Sequence, residues 1–397
     1  MTEYMLKGTM DLPRRFELHF DRPVAVYRAG ETVSGRLLVQ VDDTMPLRTL
    51  FIVLRGEARV EWEEDSGDSR KTIPATTVVS DSKDIISIKR TVIGLRGADI
   101  TDNEIATGTH EFVFSFTLPA EPLPTSFEGD YGHIRYWVKA VIDRPWMSKP
   151  TTKKCFTVLE TQHLNPSQLA CKFTDKLETN VGSFLCRPAP ISLEASTNKH
   201  GYCPGEAILL CIECKNYSKH KFLEARGTLV QRVHYYSQDK AKSRMVDNPL
   251  LHKKGDPPEP RGVLRWRNEA LIIPCVPLTT MCDSLITLTY FLKISLIGMK
   301  TEKEPTMQLY LPVIVTDVKC EKSRKASRYS VQSNFSLPGT PDTKEDMIFT
   351  RTTDFSHEHF EHSMMGGSDV RDETDDKYTL GDLRFTPLYP YVYAAVD

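Results

Sequence analysis

The sequence predicts an all-β protein with two tandem antiparallel β-sandwich lobes followed by a disordered tail. Three features predict this arrangement: short segments in which hydrophobic and polar residues alternate, a motif that occurs twice, and a change of composition towards the C-terminus. The length of 397 residues also favours two lobes, because it exceeds what one hydrophobic core usually serves.

Alternation is clearest in HEFVFSFTLP, where Phe112, Phe114 and Phe116 fall on one face of an extended segment that Pro119 ends. Comparable segments predict further strands at Phe16–Phe20, Gly35–Val41, Arg48–Val60, Ile134–Ile142, Ile191–Ala195, Ala207–Lys215, Gly227–Tyr236, Ala270–Ile273, Leu285–Leu296 and Met307–Val315. No segment of similar length has the period of an amphipathic helix. Many short strands separated by turns are typical of β-sandwiches.

The motif that occurs twice begins at Tyr27 and at Tyr202, and each copy reads Tyr, two residues, then Gly-Glu before an apolar segment. A second pair follows in the same order, YWVK at Tyr136 and YFLK at Tyr290. The repeated unit is too long for a solenoid module, so it predicts a duplicated domain. Since glycine reaches positive φ without steric cost, we interpret each Gly-Glu as a turn and not as a catalytic site.

These signals place the first lobe at residues 1–158, a linker at 159–170, the second lobe at 171–318 and the tail at 319–397. Asn-Pro-Ser at 165–167 is a linker signal. From residue 321 onward the chain has 9 Lys and Arg against 14 Asp and Glu, a net charge of 9 minus 14, or −5. Its few aliphatic residues predict a flexible, acidic, disordered segment.

The composition of the chain excludes several functions. A net charge of −2 gives no general attraction to nucleic acid, and the N-terminal residues show no secretory or transit signal, which predicts a cytoplasmic protein. We expect the nine cysteines to be free thiols. Strand alternation separates Cys211 from Cys214, so we expect no metal and no cofactor.

The sequence also argues against an enzyme. It contains no G-x-S-x-G, no phosphate-binding G-x-x-x-x-G-K-[ST], no dinucleotide-binding G-x-G-x-x-G and no H-E-x-x-H. The glutamates of the repeated motif, Glu31 and Glu206, have no second carboxylate or histidine nearby in sequence. We therefore predict a binding protein.

Residues 123–146, LPTSFEGDYGHIRYWVKAVIDRPW, resemble the signature of the alpha-arrestins. Within that family the resemblance is to the subgroup of the thioredoxin-interacting protein. Supporting matches are the strand at residues 108–119, the turn at 27–31 and YCPGE opening the second lobe. The resemblance implies the arrestin fold, two immunoglobulin-like sandwiches. It also implies adaptor work, in which cytoplasmic parts of membrane receptors or transporters are linked to ubiquitin ligases and endocytic sorting.

In this family the link to the ligase is a P-P-x-Y motif that a WW domain binds. The nearest match is Thr386-Pro387-Leu388-Tyr389, which keeps Pro387 and Tyr389 but replaces the first proline. We predict weak binding of HECT-type ubiquitin ligase WW domains there. Tyr389 and Val392 also fit the Y-x-x-Φ pattern that clathrin adaptors recognise.

Two further sites are weaker hypotheses. Basic residues of the second lobe could form a cationic face for acidic cargo, although scattered basic residues usually only keep a surface soluble. They are Lys215, Lys219, Lys221, Lys240, Lys242 and Arg244. Ser327 follows a basic pair and is a possible phosphorylation site.

The function predicted from sequence is a non-enzymatic adaptor, peripheral to membranes and recruited from the cytoplasm to plasma membrane and endosomes. The alternative is a cargo-binding scaffold of the endosomal, retromer type that recruits no ligase. Cargo and oligomeric state are not indicated by the sequence.

Overall fold

The computed structural model describes residues 12–65, 76–94, 103–144, 148–181, 189–298, 307–318, 329–331, 347–349, 359–371 and 375–393. Nearly all of the regular structure in these residues is β-strand, as the sequence predicts. Across the described ranges, no helix has the length and hydropathy needed to cross a bilayer.

The first lobe is a sandwich of two sheets. Its strands are β1 (Arg15–Phe20), β2 (Val26–Arg28), β3 (Thr32–Val41), β4 (Met45–Leu47), β5 (Thr49–Asp65), β6 (Thr76–Ile93), β7 (Asn103–Ile105), β8 (Gly108–Thr117), β9 (Phe127–Gly129), β10 (Gly132–Asp143) and β11 (Thr151–Leu159). One sheet has the order β1-β3-β8, and the other has the order β2-β11-β10-β5-β6 with β9 paired to β10. A small pair, β4 with β7, completes the lobe.

The core of the first lobe lies between these sheets because inward residues alternate along every long strand. On β3, Leu37 and Val39 are fully buried, and on β10 the same is true of Tyr136, Val138 and Ala140. All five belong to one continuous hydrophobic cluster. The alternation read from the sequence therefore identifies the inner face of each sheet.

A short linker joins the lobes. After β11 the chain forms a single-turn helix, α1 (Pro166–Leu169), where the sequence predicts a linker. The side chain of Asn165 caps this turn by accepting a hydrogen bond from the N–H of Ser167, and Pro166 suits the first helical position.

The second lobe repeats the plan of the first. Its strands are β12 (Phe173–Val181), β13 (Ala189–Thr197), β14 (Gly201–Tyr202), β15 (Ala207–Asn216), β16 (Phe222–Tyr236), β17 (Ser243–Gly255), β18 (Val263–Ile272), β19 (Ile286–Gly298) and β20 (Met307–Val315). The sheets have the orders β12-β13-β15-β18 and β14-β20-β19-β16-β17. Along β15 buried and partly exposed residues alternate, which puts Cys211 and Cys214 on opposite faces as expected.

The repeated Gly-Glu forms the same turn in both lobes. Gly30 has φ of +79° and Gly205 has φ of +90°, a region that side chains avoid. In each copy the glutamate carboxylate accepts a hydrogen bond from the N–H three residues earlier, at 2.8 Å for Glu31 and 2.9 Å for Glu206. These glutamates close turns, which confirms the structural interpretation.

The duplication extends to strand pairing and to the second repeated tyrosine. β2 pairs in parallel with β11, and β14 pairs in parallel with β20. The hydroxyl of Tyr136 donates to the carbonyl of Pro124 at 2.8 Å, and that of Tyr290 donates to the carbonyl of Pro277 at 2.6 Å. The two lobes are thus copies of one unit down to individual hydrogen bonds.

The lobes contact each other through packed and polar groups. Val233 and Tyr235 of β16 belong to the hydrophobic cluster of the first lobe. The guanidinium of Arg28 pairs with the carboxylate of Asp317 at 2.5 Å.

The described residues of the tail differ from the prediction of disorder. Its strands are β21 (Tyr329–Val331), β22 (Met347–Phe349), β23 (Phe360–His362), β24 (Ser368–Asp369), β25 (Thr379–Leu380), β26 (Arg384–Phe385) and β27 (Leu388–Pro390). β23 pairs with β27 and β24 with β26, while β25 joins the larger sheet of the first lobe by pairing with β11. Residues 359–371 and 375–393 are therefore an ordered part of the fold. The composition of the tail does not indicate this order, because these residues are too few and too polar to build a core of their own and are ordered by the surface of the lobes.

Candidate partner-binding site

The candidate site is the outer face of β10 and β11, on the side of the larger sheet that points away from the core of the first lobe. Alternation along β10 puts Arg135, Trp137 and Lys139 on this face, yet all three are at most 8 % exposed. Charged residues on an outer face are normally exposed, so another element must cover them. That element is the tail.

Two lysines form the centre of the site. Lys139 on β10 lies directly opposite Lys153 on β11 in the antiparallel register. Between them lies the carboxylate of Asp375 from the tail, 2.5 Å from Nζ of Lys139 and 2.9 Å from Nζ of Lys153. The side chains of Lys139, Lys153 and Asp375 are 9 %, 2 % and 1 % exposed. The carboxylate and the two ammonium groups are thus removed from water together. Because burying an unpaired charge is costly, they are buried as an ion-paired group.

A second ionic group lies beside the first. Arg135 donates two hydrogen bonds of 2.7 Å to the carboxylate of Glu128 on β9, a bidentate pair. It also donates to the hydroxyl of Ser368 in the tail at 2.8 Å, and that hydroxyl donates to Glu128. Nζ of Lys153 donates to the carbonyl of Val370 at 2.8 Å. Ser368, Val370 and Asp375 of the tail therefore all contact this face.

The tail adds a strand to the sheet at the same place. Thr151 and Thr152 pair in parallel with Thr379 and Leu380, and the N–H of Thr151 donates to the carbonyl of Tyr378 at 3.1 Å. The next residue, Gly381, has φ of +107°, and a Cβ there would lie 2.6 Å from the carbonyl oxygen of Lys153. Only glycine permits this close approach.

Further along, Tyr389 anchors the end of the tail. Its ring is 1 % exposed, in a cluster with Val26, Leu159 and Cys275. Its hydroxyl donates to the carbonyl of Ser126 at 2.9 Å. Burial raises the pKa of Tyr389 well above its ordinary value, so the hydroxyl remains a donor.

The tail also contacts the second lobe. The N–H of Met364 donates to the carbonyl of Cys275 at 2.8 Å, and the N–H of Val392 donates to the carbonyl of Pro204 at 2.9 Å. The tail thus joins both lobes, through ionic contacts on the first and mainly backbone hydrogen bonds on the second.

The predicted peptide motif lies inside this docked segment. Pro387 and Tyr389 are both buried, and Leu388 to Pro390 pair with Phe360 to His362. The N–H of Leu388 donates to the hydroxyl of Thr157 on β11. The same docking holds Tyr389 and Val392, which form the clathrin-adaptor pattern. An exposed, disordered motif, as the sequence suggested, is not what the structure shows.

The six basic residues of the second lobe do not form one face. Lys215, Lys219 and Lys221 precede β16, whereas Lys240, Lys242 and Arg244 follow it. A 15-residue strand separates the two groups, which at about 3.3 Å per residue is roughly 50 Å. The structure therefore does not bring together the cationic patch considered from sequence.

Two residues of the second group, Lys242 and Arg244, contact the first lobe, whereas the ion pair of Lys240 lies within the second lobe. Nζ of Lys242 pairs with Glu64 of the first lobe at 3.0 Å, and Nζ of Lys240 pairs with Asp283 at 2.6 Å. Arg244 lies over the ring of Tyr131, with 3.9 Å from guanidinium carbon to ring centroid. Nearer β15, Lys215 pairs with Glu213 at 2.9 Å. Ser327 lies outside the described residues.

Lys139, Lys153 and Asp375 were not predicted as site residues from the sequence, although Lys139 belongs to the repeated YWVK. The signal would have been the charged residues Arg135 and Lys139 at alternate positions of a strand that is apolar on its other face. In the second lobe the equivalent lysine, Lys293, lies opposite Tyr310. The pair of facing lysines thus belongs to the lobe that the tail covers.

The chemistry available at this face is recognition of an anionic, extended peptide. It offers two buried ammonium groups, a guanidinium and a strand edge. No cluster of three or more metal-ligating side chains occurs among the residues the structure describes.

Comparison with known proteins agrees with this architecture. Residues 16–165 match the arrestin (or S-antigen) N-terminal domain, and residues 187–320 match the arrestin (or S-antigen) C-terminal domain. The chain is 29 % identical over 334 residues to arrestin domain-containing protein 17 of Caenorhabditis elegans, covering 82 % of this chain and 76 % of that protein.

Two other relatives show the same breadth of similarity. The thioredoxin-interacting protein of Sus scrofa is 26 % identical over 339 residues, which cover 84 % of this chain and 82 % of that protein. Arrestin domain-containing protein 4 of Homo sapiens is 26 % identical over 332 residues, 81 % and 77 % of the two chains. With both arrestin domains present in order and relatives of this kind along most of its length, the chain belongs to the arrestin family, among the alpha-arrestins.

Proposed function

We propose that this protein is a non-enzymatic adaptor that links cytoplasmic segments of membrane receptors or transporters to HECT-type ubiquitin ligases and endocytic sorting. The observation that carries the proposal is the docked tail. The first lobe holds an extended acidic segment by strand addition and charge pairing, which is the chemistry needed to hold the tail of another protein. Pro387 and Tyr389, which we propose bind the ligase, belong to that same docked segment.

The proposed ligase contact requires the tail to undock. A WW domain needs Pro387 and Tyr389 exposed, and in the docked state both are buried. Withdrawing one aromatic ring from an apolar cluster costs about 2 kcal/mol, equivalent to roughly 30-fold in affinity. Ligase recruitment is thus weak in the docked state and stronger after release. Recognition of Tyr389 and Val392 by clathrin adaptors would likewise require the tail to undock.

A second candidate function is a cargo-binding scaffold of the endosomal type without ligase recruitment. Two observations favour it: Thr386 replaces the first proline of the motif, and Tyr389 has a structural role as the anchor of the tail. Both candidates place the protein in the cytoplasm, peripheral to plasma membrane and endosomes and without insertion.

The test compares the motif alone with the motif in the chain. WW domains of HECT-type ligases are titrated calorimetrically with a peptide of residues 382–393 and, separately, with the whole protein. We expect the peptide to bind and the protein to bind at least tenfold more weakly. A peptide with Tyr389→Ala is the matched control and should not bind. No binding of the unmodified peptide at millimolar concentration would leave the scaffold as the function.

A further inference from the structure

We propose that the outer edge of β8 in the first lobe is an interface for a second copy of this chain, so that two β8 strands pair in antiparallel orientation around a two-fold axis at Val113. The small sheets of the two first lobes then join into one continuous sheet. The proposal concerns assembly. It does not rest on the adaptor function, because dimerisation and WW binding are measured separately.

The position of β8 is the first argument. In the order β1-β3-β8 it is the last strand of its sheet, so one of its edges has no partner strand among the described residues. Val113, in the middle of β8, is 77 % exposed, more than any other large hydrophobic residue of the described chain. An exposed apolar residue on a strand edge marks a place where another strand can pair.

The other long edge strands carry features that oppose pairing. β6 has two register shifts against β5. β17 contains Pro249 and has a register shift against β16. β18 has a register shift against β15 and a positive φ of 52° at Asn268. β12 carries exposed charges at Asp175, Lys176 and Glu178. Bulges, proline and charged side chains are the usual means by which edge strands avoid pairing with another chain.

β8 lacks these features. Its ten residues, Gly108–Thr117, pair with β3 without a register shift. The strand contains no proline, lysine or arginine, and apart from His110 its one titratable side chain is Glu111. Because the edge is regular along its whole length, an added strand can form a continuous ladder of hydrogen bonds with it.

The hydrogen bonds of β3 show which backbone groups of β8 face the outer edge. The N–H of Leu118 donates to the carbonyl of Glu31 at 2.9 Å, in the register that pairs β8 with β3. On the other side of β3, the N–H of Asp21 donates to the carbonyl of Ser34 at 3.0 Å. Successive residues of a strand point their backbone groups to opposite sides. The even-numbered residues of β8 therefore bond to β3, and the backbone groups of residues 109, 111, 113, 115 and 117 face the outer edge.

A two-fold pairing centred on Val113 uses all five of these residues. Val113 lies opposite its own copy, residue 111 opposite 115 and residue 109 opposite 117, which gives about ten main-chain hydrogen bonds. Glu111 then faces Ser115 of the second copy, so no like charges meet. On the core side of the sheet, Phe112 lies opposite Phe114 of the second copy, a favourable pair of aromatic residues. The edge is thus complementary to itself.

Sedimentation velocity of the whole protein, from micromolar to submillimolar concentration, tests the interface. One strand from each copy buries little area, so we expect a weak dimer that forms within this range. Val113→Lys should dimerise at least tenfold more weakly, because it places two ammonium groups opposite each other at the axis. The matched control is Val78→Lys, the same change at an exposed valine of β6, and it should behave as unchanged protein. A monomer at every concentration, or a dimer that Val113→Lys leaves equally strong, would overturn the proposal.

Opposite charges at the axis separate an effect on the interface from an effect on folding. Val113→Glu protein should also dimerise more weakly than unchanged protein. An equimolar mixture of Val113→Glu and Val113→Lys should form a heterodimer about tenfold tighter than either variant forms with itself, since a carboxylate then faces an ammonium group. A mixture with no gain in affinity would contradict the position of Val113 at the axis.

Disulfide cross-linking tests the register. Val113→Cys should cross-link to its own copy under mild oxidation, because directly opposite residues of an antiparallel pair lie within reach of a disulfide. Thr117→Cys is the control, since eight residues along the strand, about 26 Å, separate it from its own copy. Protein without an added cysteine corrects for cross-links through native thiols such as the exposed Cys171. Equal cross-linking of the two variants would overturn the pairing centred on Val113.

Discussion

The roles of Tyr389 and Lys139 depend on the distant segments of the chain that pack against them. Tyr389 fits a ligase-binding motif by sequence, and in the fold it fills an apolar cluster with its hydroxyl bonded to the carbonyl of Ser126. Lys139 has the sequence context of an ordinary outward-facing strand lysine and is buried against Asp375. In both cases a segment 200 or more residues away in sequence decides the environment: the first lobe for Tyr389 and the tail for Lys139.

The hydroxyl of Tyr389 can be tested apart from its ring. Tyr389→Phe keeps the packing and loses one buried hydrogen bond, worth about 1 kcal/mol. We expect amides of residues 384–392 to exchange hydrogen about fivefold faster, because tail opening becomes more favourable by that amount. Tyr391→Phe, at a half-buried tyrosine of the same segment, is the control and should leave exchange unchanged. Equal exchange in both variants would contradict the role given to the hydrogen bond.

At the scale of strands, the sequence predicted those with one clearly apolar face. β3, β8, β15, β19 and β20 all lie where alternation indicates, within a few residues at each end. The strands that were not predicted include β6, β12 and β17, and each is the last strand of its sheet. An edge strand packs against one neighbour only and tolerates polar residues on both faces, so its pattern is weak.

The tail strands could not have been predicted by the same method. β25 has two residues and β27 has three, too short for any periodic pattern. Their order comes from a surface supplied by the lobes, with Lys139 and Lys153 facing Asp375. A property of two distant segments together cannot be read from the composition of either one.

Gly381 tests whether β25 requires a close approach to β11. Gly381→Ala puts a Cβ 2.6 Å from the carbonyl oxygen of Lys153 at a φ of +107°. We expect a cost of about 2–3 kcal/mol to tail docking, seen as at least 30-fold faster exchange of the Thr151 amide. Gly366→Ala is the control, because φ there is +79° and a Cβ would have nothing within 4 Å. A similar effect of both substitutions would mean that backbone conformation, not contact with Lys153, sets the requirement for glycine.

At the scale of the whole molecule, the contact between the lobes includes the carboxylate of Glu160, and its protonation makes the stability of the protein depend on pH. Glu160 follows β11, is 2 % exposed and accepts from the N–H of Met281 in the second lobe at 3.0 Å. Burial raises the pKa of Glu160 above its ordinary value, and the hydrogen bonds from Met281 and Cys282 offset this only in part. The folded protein therefore binds a proton at this site more readily than the unfolded chain does.

The sign of the pH effect follows from linkage. Since the folded state keeps the proton to higher pH, the contribution of Glu160 to stability falls as pH rises above the ordinary value of 4.5. We expect Glu160→Gln to remove this dependence, so the stability difference between the variant and the unchanged protein should shift in favour of the variant as pH rises from 4.5 to 7. Chemical denaturation at several pH values measures it. A constant difference would show that Glu160 has the same pKa in both states.

The tail couples the two lobes, which makes its two ends interdependent. Asp375 is held by the first lobe, and Tyr389 packs against both Leu159 and Cys275. If the segment docks as one unit, loosening Asp375 exposes Tyr389 although the two residues are in different contacts. Cys275 reports on this, because its thiol donates to the carbonyl of Glu361 and burial raises its pKa to about 12.

Asp375→Asn should therefore act at the distant end of the tail. We expect alkylation of Cys275 at pH 8, followed by mass spectrometry, to become at least tenfold faster, since the thiol loses its cover and with it the cause of its raised pKa. WW-domain affinity of the whole protein should rise by up to 30-fold, towards that of the free 382–393 peptide. Asp369→Asn is the control for both measurements. Faster hydrogen exchange of the Thr151 amide with unchanged Cys275 labelling would mean that the ionic end and the tyrosine end undock independently, and the ionic end would then open without exposing the motif.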